Sequence, residues 1–241
     1  MQLPVLHSAA AYTVRPGKII ALGKNYLDHI AEEKNIGVGS FTAETPREPI
    51  LFPKTPNTLV GPGEAIRIPA FLHDCGFENV RTHHEAELAF FIKDRCKDVP
   101  AEEAMNHIFG FTCANDVSQR NIQGSDVSGW FRGKSLDTFC PVGPRVVRTE
   151  QLGDPQDLRI RCRLNGRTVQ DSNTRHMIFP IPAIVAYVSM NFTLEPGDLI
   201  LTGTPAGVGD IAHGDVVEIE IDRIGILRNP VVDERRAERP A

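Results

Sequence analysis

Arg81-Thr-His-His-Glu-Ala-Glu-Leu-Ala-Phe-Phe-Ile92 carries two carboxylates, Glu85 and Glu87, that run straight into the apolar residues 88–92. On a β-strand, side chains two apart share a face, so both acids project together from the start of a strand. Like charges this close repel unless something positive sits between them. A hard divalent cation bound through oxygen is one such partner. Taken alone, the pair equally fits the wet face of an edge strand, the commoner source of alternating polar residues. The rest of the chain has to decide.

The chain has 241 residues, 41% hydrophobic and 24% charged, ordinary values for a globular protein. A chain of this length buries enough surface to fold without a staple. The net charge of −5 argues against non-specific nucleic-acid binding. The five cysteines include no Cys-x-x-Cys pair, so neither a zinc knuckle nor a redox pair is expected. Reduced thiols and a cytoplasmic protein are expected instead. The first residues lack the basic and apolar regions of a signal peptide. No apolar run approaches the ~20 residues that span a membrane.

Residues 1–22 read as N-terminal strands, with Gly23 ending the last of them. Residues 24–33 read as a short helix on which His29 meets Glu32 or Glu33, three or four positions on. The Gly/Ser/Thr/Pro-rich residues 35–48 predict a mobile loop, and a short helix beside such a loop suits a lid. Residues 49–53 and 65–69 read as short strands, joined by the irregular connection 71–82 to the opening motif. Asp98, Pro100 and two early acids predict a helix over 98–108, stopped by Gly110. Phe111-Thr-Cys-Ala-Asn-Asp116 reads as a strand ending in an acid.

Gly133-Lys134-Ser135 has the tail of a phosphate loop but Ser128 where its first glycine belongs, so a nucleotide triphosphate site is rejected. Lys134, among Trp130, Phe131 and Phe139, either invites an anionic partner or snorkels over aromatics. Leu158 to Arg167 alternates apolar and basic residues up to Asn165-Gly166, a hairpin signal. Arg159, Arg161 and Arg163 fall on its solvated face. Residues 181–190 form an apolar helix, and the glycine-rich 203–209 could cradle an anion with backbone amides. Residues 215–221 alternate as a late strand, and 233–241 read as a disordered charged tail. Many short strands and few helices make this a β-rich α+β chain.

Together these motifs resemble the fumarylacetoacetate hydrolase family from about Lys18 to Pro230. The stretches that carry the resemblance are Ile20-Ala-Leu-Gly-Lys-Asn-Tyr-Leu-Asp-His29, Phe52-Pro-Lys54, His84-Glu-Ala-Glu-Leu88, Asn115-Asp-Val-Ser-Gln-Arg120, Gly133 to Pro144, Ile200 to Gly209 and Ile224 to Pro230. The resemblance implies a mixed β-sandwich roll with few short helices. N-terminal strands and a lid would occupy 1–48, the catalytic domain 49–232. It implies a Mg2+ or Mn2+ site at Glu85, Glu87 and Asp116. Lys134 would be the active-site lysine, Arg120, Gln123 and Thr204 would line the substrate site, and His29 and Glu32 would activate water.

The expected reaction is C–C hydrolysis of an acylpyruvate-type β-dicarbonyl through a pyruvate enolate. Oxaloacetate decarboxylation or tautomerisation, or an isomerase/decarboxylase step of aromatic degradation, would use the same site. A homodimer is expected, with no nucleic-acid or membrane partner. The connection 71–82 and the loop 35–48 depart from the family pattern and could reshape the pocket mouth.

Overall fold

The computed structural model describes residues 1–36, 44–127 and 130–237. In chain order come β1 (Gln2–Pro4), β2 (Ala11–Thr13), β3 (Ile19–Gly23), α1 (Leu27–Ile36), β4 (Ile50–Lys54), β5 (Leu59–Val60), β6 (Ile66–Ile68), β7 (Thr82–His84) and β8 (Ala86–Ile92). Then follow β9 (Ile108–Asn115), β10 (Ser118–Gln119), α2 (Arg120–Gln123), α3 (Phe131–Lys134), β11 (Cys140–Arg148), α4 (Thr149–Leu152), β12 (Arg159–Leu164) and β13 (Arg167–Asn173). Last are α5 (Ile181–Asn191), β14 (Leu199–Leu201), β15 (Gly209–Asp210), β16 (Val216–Ile221), β17 (Gly225–Asp233) and α6 (Glu234–Ala237).

The opening motif sits at the heart of a seven-stranded mixed sheet ordered β4-β3-β14-β8-β9-β11-β5. Every residue of β8 is buried, so both faces of the strand need an apolar cover. Leu88 and Phe90 face a core shared with Ile160, Ile219 and Leu227 of a five-stranded sheet, β13-β12-β16-β17-β6. Ala89 and Phe91 face the other way, into a core closed by Leu3 and Val5 of the N-terminal hairpin β1-β2. The result is a strand-rich α+β sandwich with helices only at its margins. β3 pairs with both β4 and β14 inside the large sheet, so this N-terminal strand is an integral part of it.

The hairpin β12-β13 turns at Asn165 and Gly166, both at positive φ (53° and 80°), the type I′ geometry that Asn-Gly favours. Arg159, Arg161 and Arg163 lie on its outer face, paired with Asp171, Glu220 and Glu218. Three expectations need correction. Residues 98–108 form a short 3-10 helix, Ala101–His107, capped by Pro100, and Gly110 belongs to β9. A Cβ on Gly110 would lie 2.5 Å from the Val147 carbonyl oxygen, so it is there for strand contact, not helix termination. The chain also stays regular past Asp233 as far as Ala237: β17 pairs in parallel with β6, His73 bonds Asp233 at 2.9 Å, and α6 follows; the rest of the expected tail, 238–241, lies outside the described residues. Finally, α1 extends to Ile36, and half of the loop expected over 35–48, residues 37–43, lies outside the described residues. No described helix is long and apolar enough to cross a membrane.

Candidate metal and substrate site

Strand register assembles the acids. Ala86 pairs antiparallel with Asn115, so Glu85 and Asp116, each one residue outside its strand, stand opposite one another. Asp116 N–H donates to the Glu85 carbonyl at 2.9 Å. Glu87 follows two positions along. The ligand oxygens of Glu85, Glu87 and Asp116 lie within 4.8 Å of one another, and all three residues are buried.

Buried carboxylates of like charge need compensation, and three cations supply part of it. Lys134 Nζ donates to Glu85 Oε2 at 2.7 Å and to Asp116 Oδ2 at 2.6 Å. Arg120 donates to Glu85 Oε1 at 2.5 Å, as does Ser118 Oγ at 2.9 Å. Lys54 Nζ lies 2.7 Å from Asp116 Oδ1 and also bonds the Lys134 carbonyl. The support is uneven. Burial alone would raise Glu85, but Lys134 and then Arg120 outweigh it and hold the carboxyl far below the usual range. For Glu87, burial and then the charges of Asp116 and Glu85 push the carboxyl well above it. Its Oε2 accepts from Gly203 N–H at 2.7 Å, while its buried Oε1 has no hydrogen-bond partner. An all-oxygen set with an orphaned buried oxygen and one under-compensated carboxylate fits a hard divalent cation.

A narrow cleft opens on this centre, lined by Lys24, His29, Phe52, Glu85, Arg120, Gln123, Trp130, Lys134 and Thr204 among others. Helix α1 brings in His29, whose Nδ1 lies 3.4 Å from Glu32 Oε2. Glu32 is itself held by Gly207 N–H, at 2.9 and 3.0 Å from its two oxygens. Burial opposes its ionisation, but the bonds to His29 and Gly207 prevail and keep it below the usual carboxylate range. Gly207 has φ +97°, and a Cβ there would lie 2.0 Å from the Val169 carbonyl oxygen. Only glycine brings that amide to Glu32. The amides of 203–209 expected to hold an external anion therefore hold two of the chain's own carboxylates.

Arg120 is fixed on three sides. Besides Glu85, it donates to Gln123 Oε1 at 2.8 Å and to His83 Nδ1 at 3.0 Å. Thr204 Oγ1 accepts from Gln170 Nε2 at 2.9 Å, and Gln170 Oε1 accepts from Ala86 N–H at 3.0 Å. One wall of the cavity is aromatic: Phe52 and Trp130 meet edge to face at 5.4 Å, and Lys134 Nζ lies 5.0 Å from the Phe52 ring centre.

All nine residues singled out from the sequence thus converge on one place. Four that support them were missed: Lys54, Ser118, His83 and Gln170. For Lys54 a signal existed, because period two puts it on the same face as buried Phe52. Gln170, on the far hairpin, left none. No residue of the connection 71–82 lines the cavity. Its 3-10 turn, Ala70–Asp74, packs instead on the C-terminal segment.

The model of the fumarylacetoacetate (FAA) hydrolase C-terminal domain matches residues 18–232. The chain belongs to the fumarylacetoacetate hydrolase family. A mitochondrial oxaloacetate tautomerase of Xenopus laevis is 44% identical over 233 residues, 93% of this chain and 68% of that one. Among solved structures, a 2-hydroxyhepta-2,4-diene-1,7-dioate isomerase from Mycobacterium marinum is 41% identical with TM-score 0.78, covering 94% of this chain and 82% of that one. A fumarylpyruvate hydrolase from Pseudomonas aeruginosa, solved with Mn2+ and pyruvate, is 28% identical with TM-score 0.83, covering 97% and 96%. Hydrolase, isomerase and tautomerase thus all occur among relatives that share the fold.

Proposed function

We propose that this family member is a divalent-metal-dependent hydrolase that cleaves a C–C bond in small acylpyruvate-type β-dicarbonyls. The observation that carries this reading is the His29–Glu32 pair, anchored by Gly207 and facing the acid cluster. Glu85, Glu87 and Asp116 would hold Mg2+ or Mn2+. When bound, the ion supplies Lewis-acid polarisation of the substrate's carboxylate and 2-oxo oxygens. Arg120 and Gln123 orient the substrate's anionic end. His29 takes a proton from water, with Glu32 fixing the imidazole. The resulting hydroxide adds to the distal carbonyl. As the C–C bond breaks, its electron pair passes to the pyruvate fragment as an enolate, beside the Lys134 ammonium and the Thr204 hydroxyl.

A second reading, oxaloacetate tautomerisation, is favoured by the identity to the Xenopus laevis enzyme. It moves a proton at carbon and needs no water attack. Assaying the protein with Mg2+ or Mn2+ against acetylpyruvate, oxaloacetate and an unsaturated 2-hydroxy-diacid ranks the two. His29→Ala is expected to abolish C–C cleavage while cation binding survives; full cleavage in that variant would overturn the first reading.

We further propose that the protein is a cytoplasmic homodimer, the assembly that the family resemblance implies. Its cysteines are free, four of them buried, as suits a reducing compartment. Among the described residues no strand covers the outer edge of β4. Along it runs an apolar groove bordered by Ile19, Leu51, Pro53, Pro56 and exposed Phe192. Monomer mass on sedimentation would contradict the dimer.

A further inference from the structure

At the far end of β8 from the acid cluster, three side chains of different chemistry converge. Asp94 and Cys96 lie in the turn that leaves the strand, and His107 ends the 3-10 helix Ala101–His107. A carboxylate oxygen of Asp94, the Cys96 thiol and a ring nitrogen of His107 lie within 4.8 Å of one another. His107 Nδ1 and Asp94 Oδ1 are 2.5 Å apart. Backbone bonds hold both segments: Lys93 N–H donates to the His107 carbonyl at 2.8 Å, and Cys96 exchanges bonds with Leu194 at 3.0 and 2.9 Å. The three groups are therefore placed by locked main chain, the condition for a pre-organised site.

The charges around the cluster are largely paired off, so its own donors decide what it binds. Lys97 Nζ donates to the carbonyls of Ser189 (3.1 Å) and Met190 (2.5 Å) and Lys93 Nζ to that of Asn106 (3.5 Å), while Arg95 pairs with Glu195 at 3.0 Å and Lys18 with Asp198 at 2.6 Å. Burial, then the carboxylates of Asp94, Asp198 and Glu195, oppose ionisation of the Cys96 thiol. A cation reverses that balance, because a coordinated thiol is deprotonated outright.

We propose that Asp94, Cys96 and His107 form a second metal site, for a borderline-soft divalent ion of the zinc class. Thiolate, imidazole and carboxylate are a zinc-type donor set, whereas the all-oxygen cluster suits Mg2+ or Mn2+. Binding forms a metal–sulfur bond and releases the thiol proton to solvent. His107 coordinates through Nδ1, so the hydrogen bond that it shares with Asp94 opens and the imidazole keeps one proton, on Nε2. Asp94 and His107 are only partly buried, which leaves the fourth position to water. Seven residues of extended chain separate Glu87 from Asp94, roughly 23 Å at ~3.3 Å per residue. The ion therefore clamps the exit of β8 to the short helix and takes no part in the chemistry.

Cobalt(II) titration of the full chain, with Mg2+ in excess to occupy the acid cluster, tests this. A thiolate-to-cobalt charge-transfer band is expected, saturating at one ion per chain and displaced by Zn2+. It should vanish in Cys96→Ser and need at least ~10-fold more cobalt in His107→Ala. It should persist in Cys140→Ser, which removes the thiol beside the acid cluster. His107, a quarter exposed, gives a variant that stays folded if Cys96→Ser does not. No band in the wild type, a band surviving in Cys96→Ser, or unchanged affinity in His107→Ala overturns the proposal.

Discussion

Two regions of this molecule place acids or bases at every second residue of a strand. At the start of β8, Glu85 and Glu87 are buried, their compensation is uneven, and one oxygen has no partner. On β12, Arg159, Arg161 and Arg163 face outward and meet Asp171, Glu220 and Glu218 across the strands. The sequence pattern is the same; the surroundings are not. In water a charge ladder needs nothing beyond its neighbours. In the core, every charge left without a partner is unstable unless something else arrives. The imbalance around Glu87 is one that a bound cation would relieve; on β12 each arginine has a carboxylate partner, although Arg161 Nε lies buried without one.

The largest effect should follow from removing that imbalance. Glu87→Gln keeps the shape but deletes the under-compensated charge, so turnover with Mg2+ or Mn2+ should fall by ~10³-fold or more, on the scale of losing a principal charge-stabilising group. The same variant, freed of ions by chelator, should be about 1–3 kcal/mol more stable than the wild type in urea unfolding at neutral pH, because a carboxyl raised above its unfolded range costs stability there and an amide does not. Equal activity, or lower stability in chelator, would erase the contrast with β12.

Lys54→Met probes the opposite change. Lys54 and Asp116 are fully buried, and removing one partner of such a pair is expected to cost ~3–5 kcal/mol, again read from urea unfolding. A loss below ~1 kcal/mol would place Lys54 with the surface ladder. Gly207→Ala tests the link between loop and helix. Its Cβ would collide with the Val169 carbonyl and displace the amide that holds Glu32. A kcat loss of ~10²-fold is expected, with Mn2+ affinity kept; loss of affinity instead would mean that the loop serves the acids through Gly203 alone. The smallest effect belongs to β12. Arg161→Gln should cost less than ~1 kcal/mol, shrink further in high salt and leave turnover unchanged.

Much of this contrast could be read from the sequence because it is local. Period two along residues 85–92, the acid closing the strand at 116 and the Asn165-Gly166 turn each follow from a few neighbouring residues. What escaped depends on contacts between distant segments. Lys54 stands on the edge strand of the large sheet and reaches Asp116 only once β4 joins β3. Gln170 reaches Thr204 from the far hairpin. The glycine-rich loop was rightly expected to offer amides to anions, but only the folded chain reveals those anions as Glu87 and Glu32. The early Pro100 and the acids after it do start a helix, but the chain must reach β9 within a few residues, and the tighter 3-10 form results.

The central claim, that Glu85, Glu87 and Asp116 hold the cation on which turnover depends, is tested most directly by Mn2+ titration with calorimetric detection, wild type beside Glu87→Gln. The account predicts one Mn2+ per chain in the wild type, and affinity weakened at least ~100-fold in the variant, in step with its loss of 2-oxo-acid turnover. Equal Mn2+ binding by both proteins, or full turnover by the wild type in excess chelator, would contradict it.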